Sequence, residues 1–104
     1  MQTNRHETPT DELAIIEHYG VNNQLKKLGE EYYELVEASL KHLYGVGYSD
    51  LKAKEAVTSE LADTWVLWEQ LRQHFGIDFA EVRKEYDYKI SRQLARIMNE
   101  KKEL

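Results

Sequence analysis

Two proline-free stretches constrain this chain most: Lys27-Leu28-Gly29-Glu30-Glu31-Tyr32-Tyr33-Glu34-Leu35-Val36-Glu37 and, later, Ser59-Glu60-Leu61-Ala62-Asp63. In and around both, leucines and valines recur at three- and four-residue steps, the period of a helix. Residues three apart on a helix lie one turn apart and within about 60° of each other. Glu31 and Glu34 therefore share one face of the first helix, and Glu60 and Asp63 share one face of the second. Two such helices laid side by side converge four carboxylates on one spot. Like charges about 4 Å apart repel by roughly 4 kcal/mol at an effective dielectric of about 20. Several such pairs would consume the roughly 5–15 kcal/mol of stability a domain has. The cluster needs a cation, protonation or water, and a hard divalent cation fits best, because it takes anionic oxygen ligands from a rigid frame.

Acidic runs on helices are ordinarily solvated faces, and 19 acids in 104 residues give some Glu-x-x-Glu pairs by chance. The second stretch tells more. On a helical wheel Glu60 and Asp63 fall among Ala56, Val57, Leu67 and Leu71, whereas Thr58, Ser59, Glu69 and Gln70 take other directions. A carboxylate inside an apolar arc is costly without a partner.

At 104 residues the chain reads as a single domain, 1–104, with a modest core. A net charge of -5, a pI near 5.4 and the lack of a basic stripe argue against a nucleic-acid partner. Without cysteine there is no disulfide and no thiolate metal site. No apolar run approaches the roughly 20 residues of a membrane span, and no signal-peptide core follows Met1. The expectation is a cytoplasmic protein with no membrane partner.

Taken in order, Met1 to Glu7 is polar and reads as a loose segment. Thr8-Pro9-Thr10-Asp11 starts a helix, with Thr8 as N-cap and Pro9 at the first helical position. That helix stops near Gly20, and Asn22 or Asn23 caps the next, which runs to about Tyr44. Its expected apolar stripe is Leu25, Leu28, Tyr32, Leu35, Val36, Ser39 and Leu43, with Glu30, Glu34 and Glu37 turned away and Glu31 at the border. Gly45 to Ser49 is a loop, and a third helix spans about Asp50 to His74. Asp78 and Glu81 form a capping box for a fourth, running through Phe79, Val82, Tyr86, Ile90, Leu94 and Ile97 to near the C-terminus. Nothing alternates with period two, so the class is all-α: an antiparallel bundle of four main helices. Helices of more than 20 residues are roughly 30 Å long, and so few of them leave apolar surface uncovered. Trp65 and Trp68 read as core or subunit interface before base-stacking groups. A homodimer or homotetramer is expected to complete the bundle.

These residues resemble the MazG-like all-α nucleoside triphosphate pyrophosphohydrolases. The resemblance rests on Glu30-Glu31-x-x-Glu34, on Glu60-x-x-Asp63, on Asn23-Gln24-Leu25-x-Lys27-Leu28 ahead of the first motif, and on the basic segment Lys89-Ile90-Ser91-Arg92. It implies hydrolysis of the α–β phosphoanhydride of a nucleoside triphosphate, giving the monophosphate and pyrophosphate, with Mg²⁺ or Mn²⁺. It also implies Glu31, Glu34, Glu60 and Asp63 as metal ligands, Glu30 as an additional acid, and Asn23 and Lys27 near the nucleotide. Family members assemble as dimers or dimers of dimers.

Chemistry adds roles to these positions. A carboxylate not fully engaged with metal, Glu34 or Glu30, can take a proton from the attacking water. Lys89 and Arg92, one turn apart, can face one phosphate group, or can merely complement the dipole of a C-terminal helix. A di-iron bundle would need Glu-x-x-His pairs, and none of His6, His18, His42 or His74 has a glutamate three residues before it. Phosphoribosyl-ATP pyrophosphohydrolase, a related enzyme, usually carries a histidine soon after its second-motif aspartate. This chain has Thr64-Trp65-Val66-Leu67 there, which places that reading second. A non-enzymatic helical oligomer, serving as a binding module, is the alternative from another class.

Overall fold

The structure is a computed structural model that describes residues 8–45 and 49–103. Met1 to Glu7, most of the Gly45–Ser49 loop and Leu104 lie outside the described residues. Four helices follow one another: α1 (Asp11–Tyr19), α2 (Val21–Tyr44), α3 (Asp50–His74) and α4 (Phe79–Glu103). Among the described residues there is no strand, so the all-α expectation holds.

Two helix starts differ from the sequence reading. The N-cap of α1 is Thr10, not Thr8: its hydroxyl accepts from the Leu13 N–H at 3.2 Å, leaving Pro9 outside the helix. The same hydroxyl donates to Gln73 Oε1 on α3, a bond that a cap at Thr8 would forgo. Neither asparagine caps α2. The helix begins at Val21 directly after Gly20, whose φ of 91° turns the chain with a single residue; a side chain there would be strained. Asn23 instead donates its amide to the Tyr19 carbonyl at 2.7 Å, tying α2 to the end of α1. Ser49 caps α3 by accepting from the Lys52 N–H at 3.3 Å.

α2 and α3 form an antiparallel pair, and α1 packs across one end of it, mainly on α3. The small core is Ile16 of α1 with Ala53, Leu67 and Leu71 of α3. The face that α2 turns inward is the expected one only in part, at Leu28, Leu35 and Ser39. Gln24 is buried and Leu28, Glu31, Leu35 and Ala38 are half-buried, a stripe of three- and four-residue steps. Leu25, Tyr32, Val36 and Leu43 remain exposed. The helix has rotated toward its polar residues because α3 meets it there with polar groups of its own. Gln70, expected to point elsewhere, is the most buried residue of α3 at 1 % exposure, and Gln24 Nε2 donates to its Oε1 at 2.9 Å. That bond satisfies one donor and one acceptor in the seam and makes burial of both amides tolerable.

The corner between α3 and α4 is built tightly. Gly76, at φ 69°, and Ile77 return their N–H groups to the carbonyls of Gln73 and Arg72, both at 3.0 Å, a Schellman closure. Arg72 clamps it: its guanidinium grips Glu69 at 2.8 and 3.0 Å, donates to the Ile77 carbonyl at 2.7 Å and lies over the Phe79 ring. The expected capping box is present in the bond from the Asp78 N–H to the Glu81 carboxylate, 2.8 Å. Beyond this corner α4 buries no residue. Its apolar side chains Tyr86, Ile90, Leu94 and Ile97 are all exposed. The radius of gyration is 18.5 Å, against about 13 Å for a compact domain of this length. α4 is an arm, and three helices supply the folded core.

Candidate metal centre and adjoining pocket

Halfway along the α2–α3 seam the apolar stripe gives way to acids. Glu31 and Glu34 from α2 and Glu60 from α3 each place a carboxylate oxygen within 4.8 Å of the others. Glu31 and Glu60 are half-buried and Glu34 exposed. One oxygen of each half-buried acid, Glu31 Oε2 and Glu60 Oε2, is sealed from solvent and has no hydrogen-bond partner. Helical geometry explains the convergence. Glu31 and Glu34 are one turn apart, and the antiparallel seam brings Glu60 opposite them.

The crowding shows in the acid–base chemistry. The Glu31 carboxyl is raised from its ordinary 4.5 to about 7. Burial is the largest cause, followed by a hydrogen bond that protonated Glu31 can make to Glu60, by the charge of and a hydrogen bond to Glu34, and by the charge of Asp63. A buried acid among like charges holds its proton more tightly unless a cation arrives. The donor set suits such an ion: carboxylate oxygens only, two of them buried and unpartnered, held on two rigid helices. Glu31, Glu34 and Glu60 could hold a divalent metal.

Asp63 stands on the other side of Glu31. With Glu31 it lines a pocket of about 380 Å³ that runs one to two turns toward the start of α2. Lys27, one turn before Glu31, lines the same pocket, as do the buried amides Gln24 and Gln70. Ile15 and Tyr19 of α1 and Val66 of α3 provide apolar walls. On the far side of the cluster, Glu34 and Glu60 border a second hollow together with Glu37 and Lys41. The acids thus sit between two openings.

Of the expected site residues the structure clusters Glu31, Glu34 and Glu60, and sets exposed Asp63 and Lys27 with Glu31 around the adjoining pocket, outside that cluster. Glu30 is exposed, next to Glu31 but about 100° around the helix from it. Asn23 is occupied at the α1–α2 junction. Lys89 and Arg92 are on the arm, where Arg92 lies over the ring of Tyr88 at 5.6 Å; neither lines the pocket or the hollow beside the acids. Trp68 is half-buried edge-on to Phe79, and Trp65 is 68 % exposed, both at the α3–α4 corner. The sequence reading missed Gln24, Gln70, Ile15 and Tyr19. Gln24 stands seven residues before Glu31, on the same face, and that spacing was the available signal.

An α-helical pair that converges three glutamates beside a pocket fits the helical pyrophosphohydrolases of the MazG-like superfamily, to which the chain's family match assigns it. Within it, this chain belongs to the phosphoribosyl-ATP pyrophosphohydrolase family, whose sequence profile matches residues 1–89. Membership establishes pyrophosphohydrolysis as the activity class and bears out the expected resemblance at the level of the superfamily. No curated protein and no solved structure matches the chain. Among the described residues no helix is long and apolar enough to cross a membrane.

Proposed function

We propose that the chain is a metal-dependent pyrophosphohydrolase that cleaves the α–β phosphoanhydride of a nucleoside triphosphate, releasing the monophosphate and pyrophosphate. The carrying observation is the pair of sealed oxygens, Glu31 Oε2 and Glu60 Oε2, at the meeting point of three carboxylates. Left as isolated anions they cost the fold free energy; as ligands they are satisfied. Glu31, Glu34, Glu60 and, from the pocket side, Asp63 would hold Mg²⁺, with Mn²⁺ as a substitute. A bound ion of this kind offsets the charge of a triphosphate, polarises phosphorus and acidifies a bound water.

The chain's own residues do the rest. Glu34, the most exposed of the three clustered acids, and Glu30, beside the seam, are the groups able to take a proton from the attacking water. Lys27 supplies positive charge at the phosphate end of the pocket. Lys89 and Arg92 would reach a leaving pyrophosphate from the arm of a second copy, and the apolar stripe of α4 supports a homodimer or dimer of dimers.

A second reading is favoured by the family match: phosphoribosyl-ATP as the substrate, cleaved at the same bond. Pyrophosphate release from a panel of ribo- and deoxynucleoside triphosphates and phosphoribosyl-ATP, with Mg²⁺, Mn²⁺ or chelator, tests both. Metal-dependent release from the ordinary triphosphates is expected. Turnover of phosphoribosyl-ATP alone would install the second reading, and no release from any of them would overturn both.

A further inference from the structure

We propose that the α4 arm of one copy of this chain docks on the outer face of α2 in a second copy, the two helices parallel, and that the second copy returns the contact. The inference rests on the homodimer of the proposed function, not on its reaction, and assigns the surface that receives the arm.

Two helices leave an apolar stripe uncovered. α2 turns Gln24, Leu28, Glu31 and Leu35 into the seam, so Tyr32, Val36 and Leu43, about 90° round the helix, stay exposed. α4 exposes Ile90, Leu94 and Ile97. Charge decides which stripes meet. Residues 29–40 of α2 carry four glutamates and no lysine or arginine, while residues 88–99 of α4 carry three cations and no acid. Two arms laid face to face would set cation against cation, and two α2 helices acid against acid. An arm on α2 pairs opposite charges.

The spacing agrees. Glu30 and Glu37 stand seven residues apart on one flank of the α2 stripe, and Lys89 and Arg96 seven apart on one flank of the α4 stripe. Viewed from the N-terminus, the acidic flank lies clockwise of its stripe and the basic flank counterclockwise. Flanks of opposite hand meet when helices run parallel, as e and g positions do in a parallel coiled coil. Among the described residues, none of these four side chains is in an ion pair within the chain. Glu37 also borders the hollow beside Glu34 and Glu60, so an arm paired with it carries cations of the second copy to an opening of the acid cluster. Because each copy gives one arm and receives one, the pair closes with two-fold symmetry.

The chain has no cysteine, so introduced thiols report only their own neighbours. Tyr32→Cys and Leu94→Cys chains are refolded together from denaturant and treated with a short bismaleimide. The mixture should give cross-linked dimer, and neither chain alone should give more than a trace. Cross-linking of Leu94→Cys alone would mean arm on arm, and of Tyr32→Cys alone α2 on α2. Either overturns the inference, as does the lack of a cross-link in all three samples. Charge reversal decides again without cysteines, by light scattering on dilution. Glu37→Arg and Arg96→Glu should each raise the dimer's Kd about 10-fold, since each occurs twice per dimer and turns an attraction into a repulsion. Both reversals in one chain should restore Kd to within about 3-fold of wild type. Losses that add instead of cancelling, or wild type scattering as the 12.3 kDa of one chain, overturn the inference. The pyrophosphohydrolase reading stands or falls separately, because none of these measurements needs turnover.

Discussion

The α2–α3 seam and the outer face of α4 are inverted relative to each other. The seam, which the fold buries, carries Glu31, Glu60, Gln24 and Gln70; the arm, which the fold leaves open, carries Tyr86, Ile90, Leu94 and Ile97. A chain driven only by apolar burial would do the opposite. The difference teaches that the two surfaces await different things. On the proposed function, the buried polarity would receive an ion and a polar ligand, and the exposed apolarity a second copy of the chain. Either half of that contrast can be broken by experiment.

The largest effect is expected at the acids. Glu60→Gln should lower pyrophosphate release by more than about 100-fold, since even outer-shell changes at metal sites cost about 10–100-fold. The same change should leave the metal-free protein as stable as wild type or more so, because a like-charge repulsion is relieved. A variant that keeps its activity, or that melts well below wild type in chelator, would show the seam to be structural. Asp63→Asn sharpens the point: loss of turnover would make it a ligand in spite of its place on the pocket side.

Next comes the arm. Ile90→Glu combined with Leu94→Glu should convert a dimer or tetramer into a particle with the 12.3 kDa of one chain, read by light scattering at micromolar concentration. If wild type already scatters as 12.3 kDa, exposed apolarity on α4 has no protein partner among its own copies.

The pH response follows in size. Glu31 is raised from 4.5 to about 7 in the folded chain, so between those values the folded state binds more protons than the unfolded one. Metal-free stability should therefore fall as pH rises from about 4.5 to 7 and level off above. A shift of this size corresponds to on the order of 3 kcal/mol, or roughly 12–24 °C in Tm for a domain this small. Glu69, lowered by its bond to Arg72, contributes stability that is lost only at more acid pH, so the two do not overlap. Thermal melts in chelator should show the slope in wild type and not in Glu31→Gln; an absent slope in wild type would mean the acids are not crowded in solution.

The smallest effect belongs to Lys89→Ala and Arg92→Ala. Each should raise KM for the triphosphate by several-fold, roughly the weight of one exposed charge contact, and leave metal affinity unchanged by calorimetry. Unaltered kinetics in both would leave these residues as solvated charges midway along α4, too far from its C-terminus to complement the dipole.

The architecture was legible because helix signals are local: Gly20, Gly45 and Gly76 mark the stops, and the Asp78–Glu81 box announces α4. Glu31 and Glu34 were legible because a helix enforces their spacing, and Glu60 because it falls in an apolar arc of the helix that pairs with theirs. What was not legible depended on partners distant in the sequence. Leu25 and Val36 look like core residues until α3 is in place, and Gln70 looks like a surface residue until Gln24 is found opposite it. The choice of Thr10 over Thr8 as cap likewise turns on Gln73, more than sixty positions away.

The Arg72 clamp has a consequence for assembly. Partners that join through limp segments lose much of their binding energy to the ordering that association demands. Here the Schellman closure, the Glu69–Arg72 grip and the Ile77 bond fix the heading of α4 while the chain folds alone. In the proposed assembly the arm would already be aimed when a second copy met it, so docking would cost little further ordering. Removing Arg72 would leave every apolar residue of α4 in place and still weaken whatever holds it, through freedom returned to the corner.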